Sequence, residues 1–146
     1  MDNDIITTIW DCGTVFDRTA ERFWLARLCG LPVGREGVDN GPAATRGVAL
    51  LRLDGRRYEG AQLALEQVEE APMSLVCRWR VGDTAVRLTT TWMGDAATGV
   101  VSRRDTLTNS DARPVVVSRC LARVAFPPGR YECYTQASVG VRSVRG

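Results

Sequence analysis

The carboxylates are the side chains of this sequence that could act as acid–base groups, because it contains no histidine. The absence of imidazole excludes histidine bases, histidine metal ligands and Ser-His or Cys-His nucleophile pairs. Asp105 lies inside a predicted strand beside Arg103 and Arg104. This arrangement favours a structural ion pair or a turn contact over catalysis, because no partner carboxylate lies at a fixed spacing. Three other carboxylates lie at predicted turns, where Asp bonds to backbone groups: Asp83, Asp95 and Asp111. We therefore predict no catalytic residue.

The thiols follow no spacing that would indicate a metal site or a redox pair. There are five: Cys12, Cys29, Cys77, Cys120 and Cys133. An odd count without any C-x-x-C pair, in a chain with no recognisable export signal, favours reduced thiols and a cytoplasmic location. Cys77 falls on the apolar face of its predicted strand, where a free cysteine behaves as a small hydrophobic residue. Gly-rich phosphate loops are also missing, so no metal and no cofactor is predicted.

The charged and aromatic side chains give little indication of a nucleic-acid or membrane partner. All 19 basic residues are arginine, and 17 acidic residues leave a formal net charge of only +2. Such a balance produces no strong field for nucleic acid or anionic lipid, and no apolar run reaches membrane-spanning length. The arginines that alternate along the predicted strands suggest a solvated outer face: Arg78, Arg80 and Arg87.

The tryptophans could either pack in a core or stack on a sugar ring. Trp79 and Trp92 fall on the apolar faces of their predicted strands, so core packing is the favoured interpretation. Trp10 and Trp24 lie in less regular segments, and the sequence leaves both alternatives open for them.

A hairpin between residues 75 and 92 is the clearest structural prediction. Leu75–Val81 and Ala85–Trp92 alternate apolar and polar residues on either side of Gly82-Asp83-Thr84. Period-two alternation around a short Gly/Asp turn predicts two antiparallel strands with one buried face. Further strands are predicted at Val100–Thr108 and, after the Asn109-Ser110-Asp111 turn, at Pro114–Val124. Together these segments predict an all-β meander.

The amino-terminal half contains two more hairpin patterns. Ile5–Phe16 is predicted to form two short strands around Asp11-Cys12-Gly13. Val48–Leu53 and Arg56–Tyr58 flank Asp54-Gly55, a pair that favours a type I′ turn.

Three segments are harder to assign. The composition of Thr19–Leu28 suits a helix, although its alternation also allows a strand. Helix propensity likewise favours a helix over Gln62–Glu70, yet its place between hairpins allows a strand with Leu63 and Leu65 inward. Gly30–Gly47 is rich in Gly, Pro and Asn without periodicity, and it is predicted to be a long loop.

The second half of the chain resembles a known protein family. The run from Gly99 to Asn109, GVVSRRDTLTN, is followed by a Pro-Val strand and then by the Pro-Pro-Gly-Arg-Tyr run of residues 127–131. This ordered combination resembles the amino-terminal β-sandwich domain of α-galactosidases of glycoside hydrolase family 36. In that family an S-R-x-x-x-L-T-N strand precedes another strand and a P-P-G-x-Y turn. The resemblance covers Leu50 to Gln136, and residues before Gly47 match in general character only.

The resemblance implies a fold and a partner. The family's domain is an antiparallel β-sandwich of the galactose-mutarotase supersandwich type, so Thr19–Leu28 and Gln62–Glu70 are expected to be strands. Residues 1–146 are expected to form a single partial sandwich domain, with a loop at about 30–47 and a divergent tail at 139–146. The family's two catalytic Asp residues lie on a separate (β/α)8 barrel, so neither can be assigned to this chain.

Three functions follow from these observations. The favoured one is a non-catalytic domain of an α-galactosidase-type hydrolase of terminal α-galactosides, which supports the barrel and subunit assembly and is inactive alone. The second is a stand-alone carbohydrate-binding sandwich with affinity for galactosides. The third is a β-rich protein-interaction module.

The tail from Val139 onward departs from the family pattern and is interpreted as a truncation or a shifted reading frame. An unfinished sandwich exposes strand edges that can pair with other chains. We therefore expect the isolated chain to be weakly stable or to self-associate, which sedimentation and thermal unfolding at micromolar concentration would measure. A sharp cooperative melt of a monomer would contradict this expectation.

Overall fold

The computed structural model describes residues 4–33, 48–124, 132–137 and 140–145, which form antiparallel strands joined by turns. A single 3-10 turn, Gly60–Gln62, interrupts the strands of these ranges. The strands are β1 (Ile6–Ile9), β2 (Val15–Arg18), β3 (Phe23–Leu28), β4 (Leu31–Pro32), β5 (Ala49–Leu53), β6 (Arg56–Glu59), β7 (Leu63–Ala71), β8 (Ser74–Val81), β9 (Val86–Gly94), β10 (Val101–Asn109), β11 (Val117–Ala122), β12 (Glu132–Ala137) and β13 (Gly140–Arg145).

The described strands belong to four sheets. The N-terminal sheet has the order β1-β2-β3-β4, and the meander sheet has the order β10-β9-β8-β7. The three-stranded sheet has the order β11-β5-β6, and β12 pairs with β13. Every ladder is antiparallel. The predicted all-β antiparallel class is therefore confirmed.

The β8–β9 hairpin forms as the alternation predicts. Trp79 lies opposite Leu88, and Leu75 lies opposite Trp92. The inward set is buried throughout: Leu75, Cys77, Trp79, Val81, Val86, Leu88, Thr90 and Trp92. Because side chains on a strand point to alternate faces, one apolar face is enough to fix the register. The core placement predicted for Trp79, Trp92 and Cys77 is confirmed.

The Asp54-Gly55 turn also has the predicted geometry. Both residues have positive φ, 48° and 79°, as a type I′ turn requires. Leu53 and Arg56 pair directly across it. The sequence of this turn therefore determines the β5–β6 register.

The segments of ambiguous propensity are strands. β3 spans Phe23–Leu28 and β7 spans Leu63–Ala71. β7 pairs along β8 with a bulge between Leu65 and Gln67. Tertiary pairing overrides the helix propensity of both segments because it buries their apolar residues, among them Leu63 and half-buried Leu65. Of the loop predicted at 30–47, residues 31 and 32 form β4, Val33 is buried, and 34–47 lie outside the described residues.

The predicted meander is wrong at its last strand. β11 spans only Val117–Ala122 and pairs with β5 rather than with β10. The backbone of Val116 exchanges two hydrogen bonds with Asp54: its N–H donates to Oδ1 at 3.0 Å, and its carbonyl accepts from the Asp54 N–H at 2.9 Å. These bonds direct the chain to the β5–β6 turn, so β11 becomes the edge of the three-stranded sheet.

Aromatic contacts join the N-terminal sheet to the meander sheet. Phe16 lies edge-on to Trp10 at 4.8 Å and to Trp92 at 5.3 Å between ring centroids, and it stacks on Phe23 at 5.7 Å. Phe23 lies edge-on to Trp79 at 6.1 Å. Such pairs contribute about 0.5–1.5 kcal/mol each beyond the area they bury. Phe16 makes three of the four contacts and is therefore the centre of this cluster.

We predict that Phe16→Ala lowers the free energy of unfolding by about 3–5 kcal/mol, because it removes a buried ring and leaves a cavity between two sheets. Urea unfolding followed by tryptophan fluorescence measures this change. Ile9→Ala, on the paired strand and 72% exposed, is the control and should change stability by less than about 0.5 kcal/mol. Equal losses in the two variants would contradict the central role of Phe16.

Candidate functional site

Arg103 and Asp105 form an ion pair at the boundary between two sheets. The ion pair occupies both carboxylate oxygens of Asp105. Arg103 Nε lies 2.9 Å from Asp105 Oδ1, and Nη2 lies 3.0 Å from Oδ2. The two side chains are only 9% and 14% exposed. Arg103 Nη1 donates to the carbonyl of Val48 at 2.9 Å, and the guanidinium lies 5.3 Å from the Trp92 ring centroid. The predicted structural ion pair is confirmed, in the bidentate geometry that favours arginine.

Two of the carboxylates at predicted turns accept hydrogen bonds from backbone N–H groups of the same turn. Asp95 Oδ1 accepts from the N–H of Ala97 at 2.9 Å, and Asp111 Oδ1 accepts from Arg113 at 3.2 Å. Asp83 is exposed. Asp17, which is not among the predicted site residues, is buried and accepts a hydrogen bond of 2.6 Å from Thr7 Oγ1. No group of three or more potential metal ligands occurs within the described residues.

Four cysteines are free thiols in different environments. Cys77 is buried, Cys12 is half-buried, and Cys29 and Cys120 are exposed. Burial raises the pKa of the Cys77 thiol from 9.0 to about 12, against the opposing charges of Arg18 and Arg103. Partial burial and then the Asp105 carboxylate also raise the pKa of Cys120. The side chain of Cys133 lies outside the described residues.

None of the aromatic side chains whose burial the structure describes is exposed. Trp10 and Tyr58 are buried, and Trp24 is half-buried. Phe16, Phe23, Trp79 and Trp92 belong to the core cluster. Stacking on a sugar needs an exposed aromatic face, so the described surface gives no support to carbohydrate binding by stacking.

The outer face of the meander sheet carries the predicted solvated arginines. Arg78 Nη1 lies 2.7 Å from Glu69 Oε1 across the β7–β8 pair, and Arg87 Nε lies 3.4 Å from Glu66 Oε2. Arg80 is exposed. Ion pairs this open contribute about 0–1 kcal/mol. They therefore keep the face polar without forming a binding groove.

Two shallow depressions lie on the described surface. One, of about 250 Å³, is bordered by Asp4, Arg18 and Glu66 between the N-terminal sheet and β7. Glu66 is exposed, and its carboxylate forms a surface ion pair with Arg87. The other, of about 290 Å³, lies on the outer face of the three-stranded sheet.

Strand β11 is the most unusual surface feature. All six of its residues are exposed, and among the described strands it pairs on one side only, with β5. The apolar side chains on and beside it are exposed too: Val116, Val117, Leu121 and Val124. We call these four residues and the strand the β11 surface. Edge strands are ordinarily shortened, charged or covered, and an exposed apolar edge is a site of association.

The comparisons with known proteins give no assignment. No protein-family model matches the chain, and neither the curated proteins nor the solved structures give a significant match. Within the described ranges, no helix has the length and apolar character needed to cross a membrane.

We predict that thiol reactivity follows burial. Near pH 8, Cys29 should react with Ellman's reagent within minutes, whereas Cys77 should stay protected until the protein unfolds, because its raised pKa keeps it a neutral thiol. Peptide mapping of the labelled chain identifies the sites, and Cys77→Ala should lack the slow site. The raised pKa stabilises the fold below pH 9.0, and this contribution is lost as the pH rises toward 12. Labelling of Cys77 as fast as that of Cys29 would contradict the assignment.

Proposed function

We propose that this chain is a non-catalytic β-sandwich module of an α-galactosidase-type glycoside hydrolase, and that it docks on a catalytic (β/α)8 barrel through the β11 surface. The observation that carries the proposal is an exposed apolar edge strand following the strand that bears the family-like motif. An apolar edge in this position needs a covering partner. The substrate class, terminal α-galactosides, and the mutarotase-type sandwich are part of the proposal and rest on the resemblance.

The motif residues support a structural role for the module. Arg103 connects β10 to Val48, as described above. Asn109 holds the turn after β10: its Nδ2 donates to the carbonyl of Arg113 at 2.9 Å, and its Oδ1 accepts from the N–H of Asp111 at 3.1 Å. Both residues position backbone and do not face a cleft. The Pro-Pro-Gly-Arg-Tyr run of residues 127–131 lies outside the described residues.

The carboxylate chemistry supports a non-catalytic role. Retaining glycosidases place two carboxyl groups about 5–5.5 Å apart across the scissile bond. Asp105 is ion-paired with Arg103, and the carboxylates of Asp95 and Asp111 accept hydrogen bonds from backbone N–H groups of their turns. The acid and the nucleophile are therefore assigned to the barrel partner.

The same β11 surface also supports a second function, a protein-interaction module. The two functions differ only in which partner covers the β11 surface. A stand-alone galactoside-binding sandwich has weaker support, because the described aromatic side chains are buried or half-buried. The nature of the partner and the affinity for galactosides separate these alternatives.

We predict that the purified chain does not hydrolyse 4-nitrophenyl α-D-galactopyranoside and does not bind galactose, melibiose or raffinose in calorimetric titrations. Co-expressed with a family 36 barrel that lacks its own amino-terminal domain, it should co-purify in a stable complex. Leu121→Glu should weaken that complex at least tenfold, because it places a charge in an apolar contact.

Thr106→Glu is the matched control, since it adds the same charge to an exposed position of β10 on the meander sheet. Hydrolysis by the chain alone would overturn the non-catalytic assignment. Galactoside binding without a barrel would favour the carbohydrate-binding alternative, and an unimpaired Leu121→Glu complex would exclude the β11 surface as the docking site.

A further inference from the structure

Three arginines stand side by side across the three-stranded sheet. Arg52 of β5 lies directly opposite Arg57 of β6 and directly opposite Arg119 of β11. Residues that face each other across an antiparallel ladder project from the same side of the sheet. With strands about 4.8 Å apart, the three positions form a row about 10 Å long. We call Arg57, Arg52 and Arg119 the arginine row.

The arginine row concentrates positive charge on one part of a nearly neutral protein. Residues 48–59 and 116–124 contain five arginines and only two acidic residues, an excess of three, whereas the whole chain has a net charge of +2. Like charges directly opposite each other on a sheet are destabilising. The local charge therefore favours an anionic partner at this place.

Internal partners neutralise little of this charge. Arg52 Nε donates to the carbonyl of Gly55 at 3.3 Å, and Arg52 forms no ion pair within the described residues. Arg57 Nη2 lies 3.3 Å from Glu59 Oε2, but the same oxygen lies 2.7 Å from Arg123 Nη1. The Arg119 side chain makes no hydrogen bond or ion pair within the described residues. One carboxylate is thus shared by Arg57 and Arg123, whereas Arg52 and Arg119 have no carboxylate partner in the part of the chain that the structure describes.

The row borders a depression suited to a small ligand. The depression of about 290 Å³ is lined by Leu50, Arg52, Gly55, Arg57 and Arg119. Leu50 forms its floor and is only 6% exposed although it belongs to the outer face. Small-ligand pockets begin at about 300 Å³, so the space fits a compact anion better than a folded segment.

We propose that the arginine row binds a linked phosphate anion, two or three phosphate groups either free or esterified to a nucleoside. Guanidinium groups match the oxygens of phosphate in pairs, and three of them in line match charges repeated along a short chain. A single phosphate would contact part of the row and bind less tightly. The proposal does not rest on the proposed function and needs no barrel, although Arg119 lies on β11 and therefore within the β11 surface.

Isothermal titration of the full chain at low ionic strength tests the proposal, with inorganic triphosphate as the first probe. Triphosphate should bind more tightly than pyrophosphate and both more tightly than orthophosphate, and added salt should weaken all three. Arg119→Gln should weaken triphosphate binding about tenfold, the loss expected for one charge-assisted contact. Adenosine triphosphate distinguishes the sources: tighter binding than inorganic triphosphate supports an esterified ligand, and equal or weaker binding supports the free anion.

Arg104→Gln is the matched control, because Arg104 is an exposed arginine opposite Thr91 on the meander sheet. It removes the same charge from the chain and should leave triphosphate binding unchanged. Absence of triphosphate heat at millimolar concentration, or equal losses in Arg104→Gln and Arg119→Gln, would overturn the proposal. Tighter binding of a tetraglutamate peptide than of triphosphate would also overturn it and assign the surface to an acidic polypeptide.

Discussion

The aromatic contacts around Phe16 are the constraint on which the rest of the structure depends. Short strands such as β1 and β2 are too small to be stable alone, because a two-stranded ribbon needs a further apolar layer. Phe16 provides that layer by packing against Trp92 of the meander sheet and Phe23 of its own sheet. The N-terminal strands are thus ordered by a contact with Trp92, which lies more than seventy positions later in the chain than Phe16. Non-directional burial supplies most of the stability, and the edge-to-face geometry makes the arrangement specific.

The connection to the three-stranded sheet is of a different kind. Arg103 reaches from β10 to the carbonyl of Val48 while Asp105 neutralises its charge and Trp92 packs against its plane. A buried charge is tolerated only when it is paired and hydrogen-bonded, and here both conditions are met. The polar contact fixes where the three-stranded sheet begins, because its partner is the residue immediately before β5. The S-R-x-x-x-L-T-N run is therefore explained by what its side chains hold in place, independently of any activity.

Much of the strand content could be predicted from sequence, whereas the surfaces could not. Alternation over residues 75–92 and the Asp54-Gly55 turn are local signals, and local sterics decide them. The partner of β11 is not a local property: the hydrogen bonds between Val116 and Asp54 join residues far apart in the chain. Sequence patterning indicated that this strand exists but assigned it to the wrong sheet. The arginine row was missed for the same reason, since its members adjoin only after β5, β6 and β11 pair.

The same non-local pairing links the two surfaces proposed here. Arg119 and Leu121 lie on one strand, and they face Arg52 and Leu50 across the same ladder. Repulsion along the row opposes the pairing of β11 with β5, and an anion bound there would remove that repulsion and stabilise the paired state. The apolar edge that we assign to docking keeps a fixed position only while β11 is paired with β5. Charge on one face of the strand and association through its edge are therefore coupled by the strand itself, without any change in the rest of the fold.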